Sequence, residues 1–241
     1  MNEVEDIVVR CRGLKKAYGS GNTKVQALRG IDLEIRGGEL MMLVGPSGCG
    51  KTTLISVMAG ILNQDEGECQ VFGRDLHALS RQEVTTFRAA NIGFVFQAFN
   101  LLPMLSAKEN VAIPLLINKV RRREALSQAS DMCGLMGLAD RVTSLPPELS
   151  GGQQQRVAIA RSLVHCPRLI VCDEPTSSLD HDTGRMVMEL LRVTAVGPGR
   201  SLVVVTHDAR IFGFADRIAR MDDGRIVEVG APKSSLEGTD G

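Results

Sequence analysis

A glycine-rich segment between two apolar stretches constrains this chain more than any other feature. Residues 40–44 are apolar, residues 54–59 favour a helix, and the nine residues between them are Gly45, Pro46, Ser47, Gly48, Cys49, Gly50, Lys51, Thr52 and Thr53. A strand, a glycine-rich turn and a helix start in this order direct backbone N–H groups and the positive end of the helix dipole at an anion. We therefore predict a phosphate-binding loop for a nucleoside triphosphate.

Two side chains of this loop have predicted roles of their own. We expect Lys51 to reach the β- and γ-phosphates as a point charge, and the hydroxyl of Thr52 to complete the oxygen shell of Mg²⁺. We also expect the Lys51 side chain to be exposed and free of core contacts. Its replacement should then leave the fold intact.

Length and composition indicate one compact α/β domain. The chain has 241 residues, of which 44% are hydrophobic, so it can bury a full core. Lysine plus arginine and aspartate plus glutamate each number 28, so no broad basic face favours nucleic acid as a partner. Residues 1–6 are acidic and no apolar run approaches the roughly 18 residues of a membrane span. We expect a cytosolic protein.

Six cysteines are scattered along the chain without a CxxC pair, at Cys11, Cys49, Cys69, Cys133, Cys166 and Cys172. Such spacing disfavours both a disulfide framework and a zinc site. We interpret all six as buried structural thiols.

The pattern of apolar residues divides the chain into parts. Residues 7–43 alternate like strands, residues 94 to about 149 have helical periodicity with a capping box from Ser106 to Glu109, and apolar runs return later. These runs are residues 169–172, 202–205 and 217–221. Helical stretches at 151–165 and 183–196 precede the first and the second of them. Continuous apolar strands that alternate with helices predict a parallel sheet covered on both faces. Asp222, Asp223 and Gly224 predict a hairpin turn before residues 225–229.

Two carboxylates end one of the predicted strands. Asp173 and Glu174 directly follow the apolar run 169–172, and ligands of open α/β sheets bind at the carboxyl ends of strands. Asp173 is placed to hold Mg²⁺, and Glu174 to orient or deprotonate the attacking water. The alternative is a solvated acidic pair, which the phosphate-binding loop upstream disfavours.

A second helix start could also bind an anion. Leu149 precedes Ser150, Gly151, Gly152 and Gln153, and the spacing of Ser150 and Gln153 fits a capping box. The chain could bind two anions, or it could contribute two half-sites to two nucleotides across a symmetric dimer. One sequence does not decide between these.

Taken together, these motifs resemble the ATPase subunits of ATP-binding-cassette (ABC) transporters. The resemblance covers residues 7–230 and rests on the order and spacing of the phosphate-binding loop, the pentapeptide 149–153, the strand end 173–174, Gln97, the loop 178–180 and His207. It implies an α/β fold with a phosphate-loop NTPase core and a mostly parallel sheet, an N-terminal antiparallel β subdomain and an inserted helical subdomain. We expect boundaries at 7–95 for the β subdomain and first part of the core, 96–152 for the helical subdomain, 153–230 for the rest of the core and 231–241 for a frayed tail.

The resemblance also assigns roles to single residues. It implies that Tyr18 stacks on adenine, that Gln97 senses Mg²⁺ and that His207 contacts the γ-phosphate, with Lys51, Gln97, Glu174 and His207 as the catalytic set. Thr52, Gln97 and Asp173 would hold Mg²⁺. Ser150 to Gln153 of one protomer would close on the ATP of the other in a head-to-tail homodimer. The alternative for Tyr18 is a half-buried core residue.

Partners and function follow from the same resemblance. The apolar residues 99–105 would receive a coupling helix of a membrane-spanning permease at the cytoplasmic face of the inner membrane, with a periplasmic adaptor joined through the permease; alternatively they seal the chain's own core. Lys119 to Arg123 could touch lipid or the partner, although a solvated face is the simpler reading. Residues 153–161 and 206–218 look like those of the lipoprotein-release, macrolide-export and heterocyst-glycolipid exporter branch. The alternatives are an ATPase that regulates an envelope protein without transport, and a soluble ABC ATPase acting on nucleic acid or ribosomes.

Overall fold

A computed structural model describes residues 7–177 and 179–232. The expected tail at 231–241 lies largely outside the described residues, as do Ser178 and the acidic residues 1–6. The strands are β1 (Ile7–Tyr18), β2 (Val25–Arg36), β3 (Leu40–Val44), β4 (Glu66–Val71), β5 (Arg74–Asp75), β6 (Ile92–Val95), β7 (Leu169–Asp173), β8 (Ser201–Val205), β9 (Arg217–Asp222) and β10 (Arg225–Gly230). The α-helices are α1 (Lys51–Met58), α2 (Arg81–Asn91), α3 (Ala107–Ile117), α4 (Arg122–Leu135), α5 (Gly151–Leu163) and α6 (His181–Ala195).

The strands form two sheets. An antiparallel sheet has the order β2-β1-β4-β5, and a second sheet has the order β10-β9-β3-β8-β7-β6, in which every pair except β9 and β10 is parallel. Ile170 and Cys172 of β7 belong to one buried cluster, whereas Leu169 and Val171 belong to another. Because alternate side chains of a strand point to opposite faces, this sheet is covered on both faces, as predicted.

The predicted helical insert is present between β6 and β7. Helices α3 and α4 pack on each other and on α5. The expected capping box is formed, since Glu109 accepts from the Ser106 N–H at 3.0 Å and from its hydroxyl at 2.8 Å. One expectation was wrong: Phe94, taken as the start of the helical region, lies in β6, which pairs with β7. A four-residue strand is too short to show its period in the sequence.

Three other differences concern local features. The hairpin at 222–224 is confirmed, with β9 and β10 on either side. Helix α2, which Ser80 and Glu83 cap, had not been predicted. Cys166 is exposed, so the interpretation of all six cysteines as buried was wrong for this residue. It follows the end of α5, where its φ is 51° and its N–H donates to the Leu163 carbonyl at 2.9 Å.

Candidate functional site: a nucleotide-binding cavity

The predicted phosphate-binding loop joins β3 to α1, and its glycines are required by the surroundings. Gly45 has φ 151°, and a Cβ there would lie 2.1 Å from the Met221 carbonyl oxygen. Gly50 has φ 102°, and its Cβ would lie 2.4 Å from the Ala27 carbonyl oxygen. Within residues 7–177 and 179–232, no side chain caps the start of α1, so its first N–H groups are open to a ligand.

Lys51 is buried, not exposed as expected, with 7% of its surface accessible. Its ammonium donates to the carbonyls of Gly45 at 2.9 Å and Pro46 at 2.8 Å. A buried ammonium needs such acceptors, because an unpaired charge would be costly. Lys51 therefore fixes the shape of the loop in addition to presenting a positive charge to it.

The loop forms one side of a cavity of about 540 Å³. Gln97, Glu174 and His207, which are far apart in the chain, line the same cavity. The remaining lining residues are Ala27, Gly45, Pro46, Ser47, Gly48, Gly50, Lys51, Thr52 and Thr53. Cys49 of the loop is instead buried beneath it.

The oxygen ligands predicted for a divalent cation lie together beside this cavity. The Thr52 hydroxyl donates to Asp173 Oδ1 at 3.3 Å. Burial, the largest influence, raises the pKa of Asp173 above its usual value, against the lowering effect of the Thr52 hydrogen bond. One hydroxyl and one carboxylate, with room for water and phosphate oxygens, fit the hard oxygen coordination of Mg²⁺.

Glu174 occupies an unusual backbone conformation. Its φ is 49°, in the left-handed region, and its N–H donates to the Val205 carbonyl at 2.9 Å. Such a conformation costs on the order of 1 kcal/mol or more and is often found at functional sites. Glu174 Oε1 lies 3.0 Å from His207 Nδ1, and Oε2 lies 3.5 Å from Gln97 Nε2.

Tyr18 and the pentapeptide lie outside the lining of this cavity. Tyr18 is 45% exposed, and its hydroxyl is 3.4 Å from Thr53 Oγ1 at the edge of the loop. At the start of α5, the predicted capping box is confirmed: Gln153 Oε1 accepts from the Ser150 N–H, and Ser150 Oγ accepts from the Gln153 N–H. Ser150 and Gly151 are exposed.

The fold and the cavity define the class of protein: a phosphate-loop nucleotide-binding ATPase core with an inserted helical subdomain. Residues 28–177 match the family model described as ABC transporter. The chain therefore belongs to the ABC transporter family and is an ABC-type ATPase that binds ATP. Among the described residues, no helix has the length and apolarity to cross a membrane.

Several known proteins are similar along most of the chain. It is 45% identical over 214 residues to the lipoprotein-releasing system ATP-binding protein LolD of Geobacter metallireducens, covering 89% of this chain and 95% of that protein. It is 41% identical over 221 residues to the macrolide export ATP-binding/permease protein MacB of Nitrosomonas europaea, covering 91% of this chain but 33% of that longer protein.

A solved structure agrees with this chain in fold. The dimeric structure of the ATP-binding cassette MJ0796 in a post-hydrolysis state, bound to ADP and Pi, has a TM-score of 0.86 to this chain. The sequences are 36% identical, and the match covers 93% of this chain and 99% of that one. The predicted α/β fold with an antiparallel N-terminal sheet is confirmed.

Proposed function

We propose that this chain hydrolyses ATP to power a membrane-spanning exporter of lipid, lipoprotein or drug, through ATP-driven closure of a dimer. The observation that carries the proposal is the convergence of Gln97, Glu174 and His207 on the phosphate-binding cavity. Relatives named for lipoprotein release and macrolide export support the exporter class.

The side chains of the cavity divide the chemistry between them. Lys51 and the N–H groups of α1 would hold the β- and γ-phosphates. Thr52, Asp173 and Gln97 would hold Mg²⁺, which would supply charge neutralisation at the phosphates. Glu174 orients the attacking water and accepts its proton. His207 contacts the γ-phosphate.

The pentapeptide completes the site of a second copy. Ser150 and Gly151 are exposed and lie outside the lining of the chain's own cavity. The N–H groups at the start of α5 favour an anion. In the proposed head-to-tail homodimer, Ser150 and Gly152 contact the γ-phosphate of the partner's ATP, as the dimeric state of the similar cassette supports.

The apolar segment 99–105 is the proposed docking site for a permease. Met104 is 85% exposed and Leu102 is 50% exposed, whereas Leu101 packs against the core. The exposed Leu102 and Met104 support the docking interpretation, and the packing of Leu101 supports the alternative that part of the segment seals the chain's own core. Exposed apolar residues of this kind mark contact sites. The chain would then lie at the cytoplasmic face of the inner membrane, joined to a periplasmic adaptor through the permease.

Reconstitution tests the function directly. A membrane partner that co-purifies with the chain is placed with it in liposomes with ATP outside, and transport of labelled lipid, lipoprotein or macrolide into the lumen is measured. ATP-dependent accumulation supports the exporter. ATP hydrolysis that moves the partner without any transport would instead indicate a regulator, and no association with a membrane partner would indicate a soluble ATPase.

A substitution tests the proposed docking site. Met104→Glu should abolish association with the permease, whereas the control, Met186→Glu at an exposed position of α6, should leave it intact.

A further inference from the structure

Arg161, near the end of α5, holds the loop that carries Gln97. Its guanidinium donates from Nη1 to the Asn100 carbonyl at 2.7 Å and from Nη2 to the Phe99 carbonyl at 2.6 Å. Burial lowers the pKa of Arg161, and its side chain forms these two hydrogen bonds with the described part of the chain. A desolvated guanidinium depends on such acceptors, so the helix and the loop are held to each other.

The two residues whose carbonyls accept from Arg161 have a left-handed backbone conformation. Phe99 has φ 59° and Asn100 has φ 50°, so two successive residues other than glycine lie in the left-handed region. Side chains other than glycine seldom adopt this conformation, least of all aromatic ones such as Phe99, so surrounding contacts must maintain it. Arg161 supplies contacts of this kind, because it binds the carbonyls of both residues.

The far end of the same loop is held from α3. Asn110 is fully buried; its Oδ1 accepts from the Leu102 N–H at 2.8 Å, and its Nδ2 donates to the carbonyls of Leu102 and Leu105 at 3.1 and 2.8 Å. The loop is thus anchored at one end by α5 and at the other end by α3. Gln97, two residues before Phe99, points the other way, with its Nε2 3.5 Å from Glu174.

We infer that Arg161 is a positioning residue that transmits the position of α5, the helix beginning at Ser150, to Gln97 and hence to Glu174. The path is short and continuous. The Arg161 guanidinium of α5 binds the carbonyls of residues 99 and 100, and Gln97, on the same loop, contacts Glu174 in the cavity. When a nucleotide of a second copy engages the start of α5, displacement of that helix carries the Gln97 loop with it. The inference rests on the proposed roles of Gln97 and the pentapeptide.

The test compares Arg161→Gln and Arg161→Lys with a matched control on the same helix. Arg156 donates Nη1 to the Met136 and Gly137 carbonyls at 3.0 and 3.4 Å, a grip on the end of α4 that does not touch the Gln97 loop. Steady-state hydrolysis of MgATP by the purified chain is measured at varied Mg²⁺. We expect Arg161→Gln to lower kcat by about 10- to 100-fold through misplacement of Gln97, with KM for MgATP nearly unchanged. Arg161→Lys should recover part of the loss, and Arg156→Gln should keep the native kcat.

A double-mutant cycle with Gln97→Ala separates positioning from simple destabilisation. If Arg161 acts through Gln97, the double variant should have the kcat of Gln97→Ala alone, whereas independent effects would multiply. Multiplying effects, or an Arg156→Gln defect as large as that of Arg161→Gln, would overturn the inference. Circular dichroism and a melting curve confirm that each variant is folded. A native kcat in Gln97→Ala would instead contradict the proposed role of Gln97, so the two failures are distinguishable.

Discussion

The Nδ1 atom of His207 lies 3.0 Å from Oε1 of Glu174, so the proposed general base and the proposed γ-phosphate contact are already joined. Both follow ends of adjacent parallel strands, Glu174 after β7 and His207 after β8. The carboxylate is thereby oriented by the sheet and by the imidazole before substrate arrives. Such preorganisation is how a site stabilises charge that develops in the transition state.

Glu174→Gln should remove hydrolysis while it preserves binding. The amide keeps the size and hydrogen-bonding reach of the side chain but cannot accept the proton of water, so turnover should fall about 10²- to 10⁴-fold. Lys51, Thr52 and Asp173 are untouched, and ATP should hold the variant as a dimer in size-exclusion chromatography. A variant with wild-type phosphate release would show that Glu174 is not the base.

Tyr18→Ala should weaken ATP binding by about 1–3 kcal/mol, the usual worth of one aromatic–base stack. Tyr18→Phe is the matched control, since it keeps the ring and loses only the 3.4 Å contact with Thr53. It should bind ATP almost as the native chain does. Calorimetric titration measures both, and equal affinities for Tyr18→Ala and the native chain would refute stacking.

Gly151→Asp should stop turnover without unfolding the chain. A Cβ at Gly151 would meet no atom of the described residues within 4 Å, and an acidic residue is favourable at a helix N-terminus. The negative charge of the new side chain would, however, repel a partner's γ-phosphate. Each chain should still bind one ATP, which equilibrium dialysis measures.

Mixing this variant with Lys51→Ala tests sharing between copies. A heterodimer has one site with both defects and one with neither, so partial recovery of hydrolysis is expected. Ser150→Arg should behave alike, with an added loss of about 1 kcal/mol in stability because the Ser150 cap on Gln153 is lost. No recovery at any ratio, with heterodimers demonstrated by crosslinking, would count against a shared site.

The stability of the folded chain should depend on pH through His165. Burial is the main cause that lowers its pKa; its Nε2 lies 3.2 Å from the Ile92 carbonyl, and its buried Nδ1 has no hydrogen-bond partner among the residues that the structure describes. The unfolded chain, with a pKa of about 6.5, then binds the proton more readily than the folded chain. The contribution of His165 to stability is therefore present above pH 6.5 and is lost as pH falls below it. Urea unfolding measures the free energy of unfolding at pH 7.5 and at pH 5.5. The decrease on acidification should be smaller in His165→Gln than in the native chain, and an equal decrease would assign the effect to other groups.

Sequence alone predicted the parts of the site whose chemistry is local. A loop that binds phosphate needs glycines and a lysine at fixed spacings in the sequence. The apolar run 169–172 followed by two acidic residues, Asp173 and Glu174, is likewise recognisable from the sequence alone. The burial of Lys51 was missed because its acceptors are loop carbonyls whose direction depends on the fold. The grip of Arg161 on residues 99 and 100 joins positions about 60 residues apart, and no local pattern encodes it. The expected domain boundaries stay predictions.

The β9–β10 hairpin supports the phosphate-binding loop from the far end of the chain. The Gly224 N–H donates to the Cys49 carbonyl at 3.1 Å, and Met221 packs against Gly45. During synthesis the ribosome finishes the loop long before this support exists: at about 5–20 residues per second, the hairpin follows some ten to thirty seconds later. A nascent chain that ends before β9 should therefore not retain ATP, and the nucleotide becomes a ligand only when nearly the whole domain has emerged.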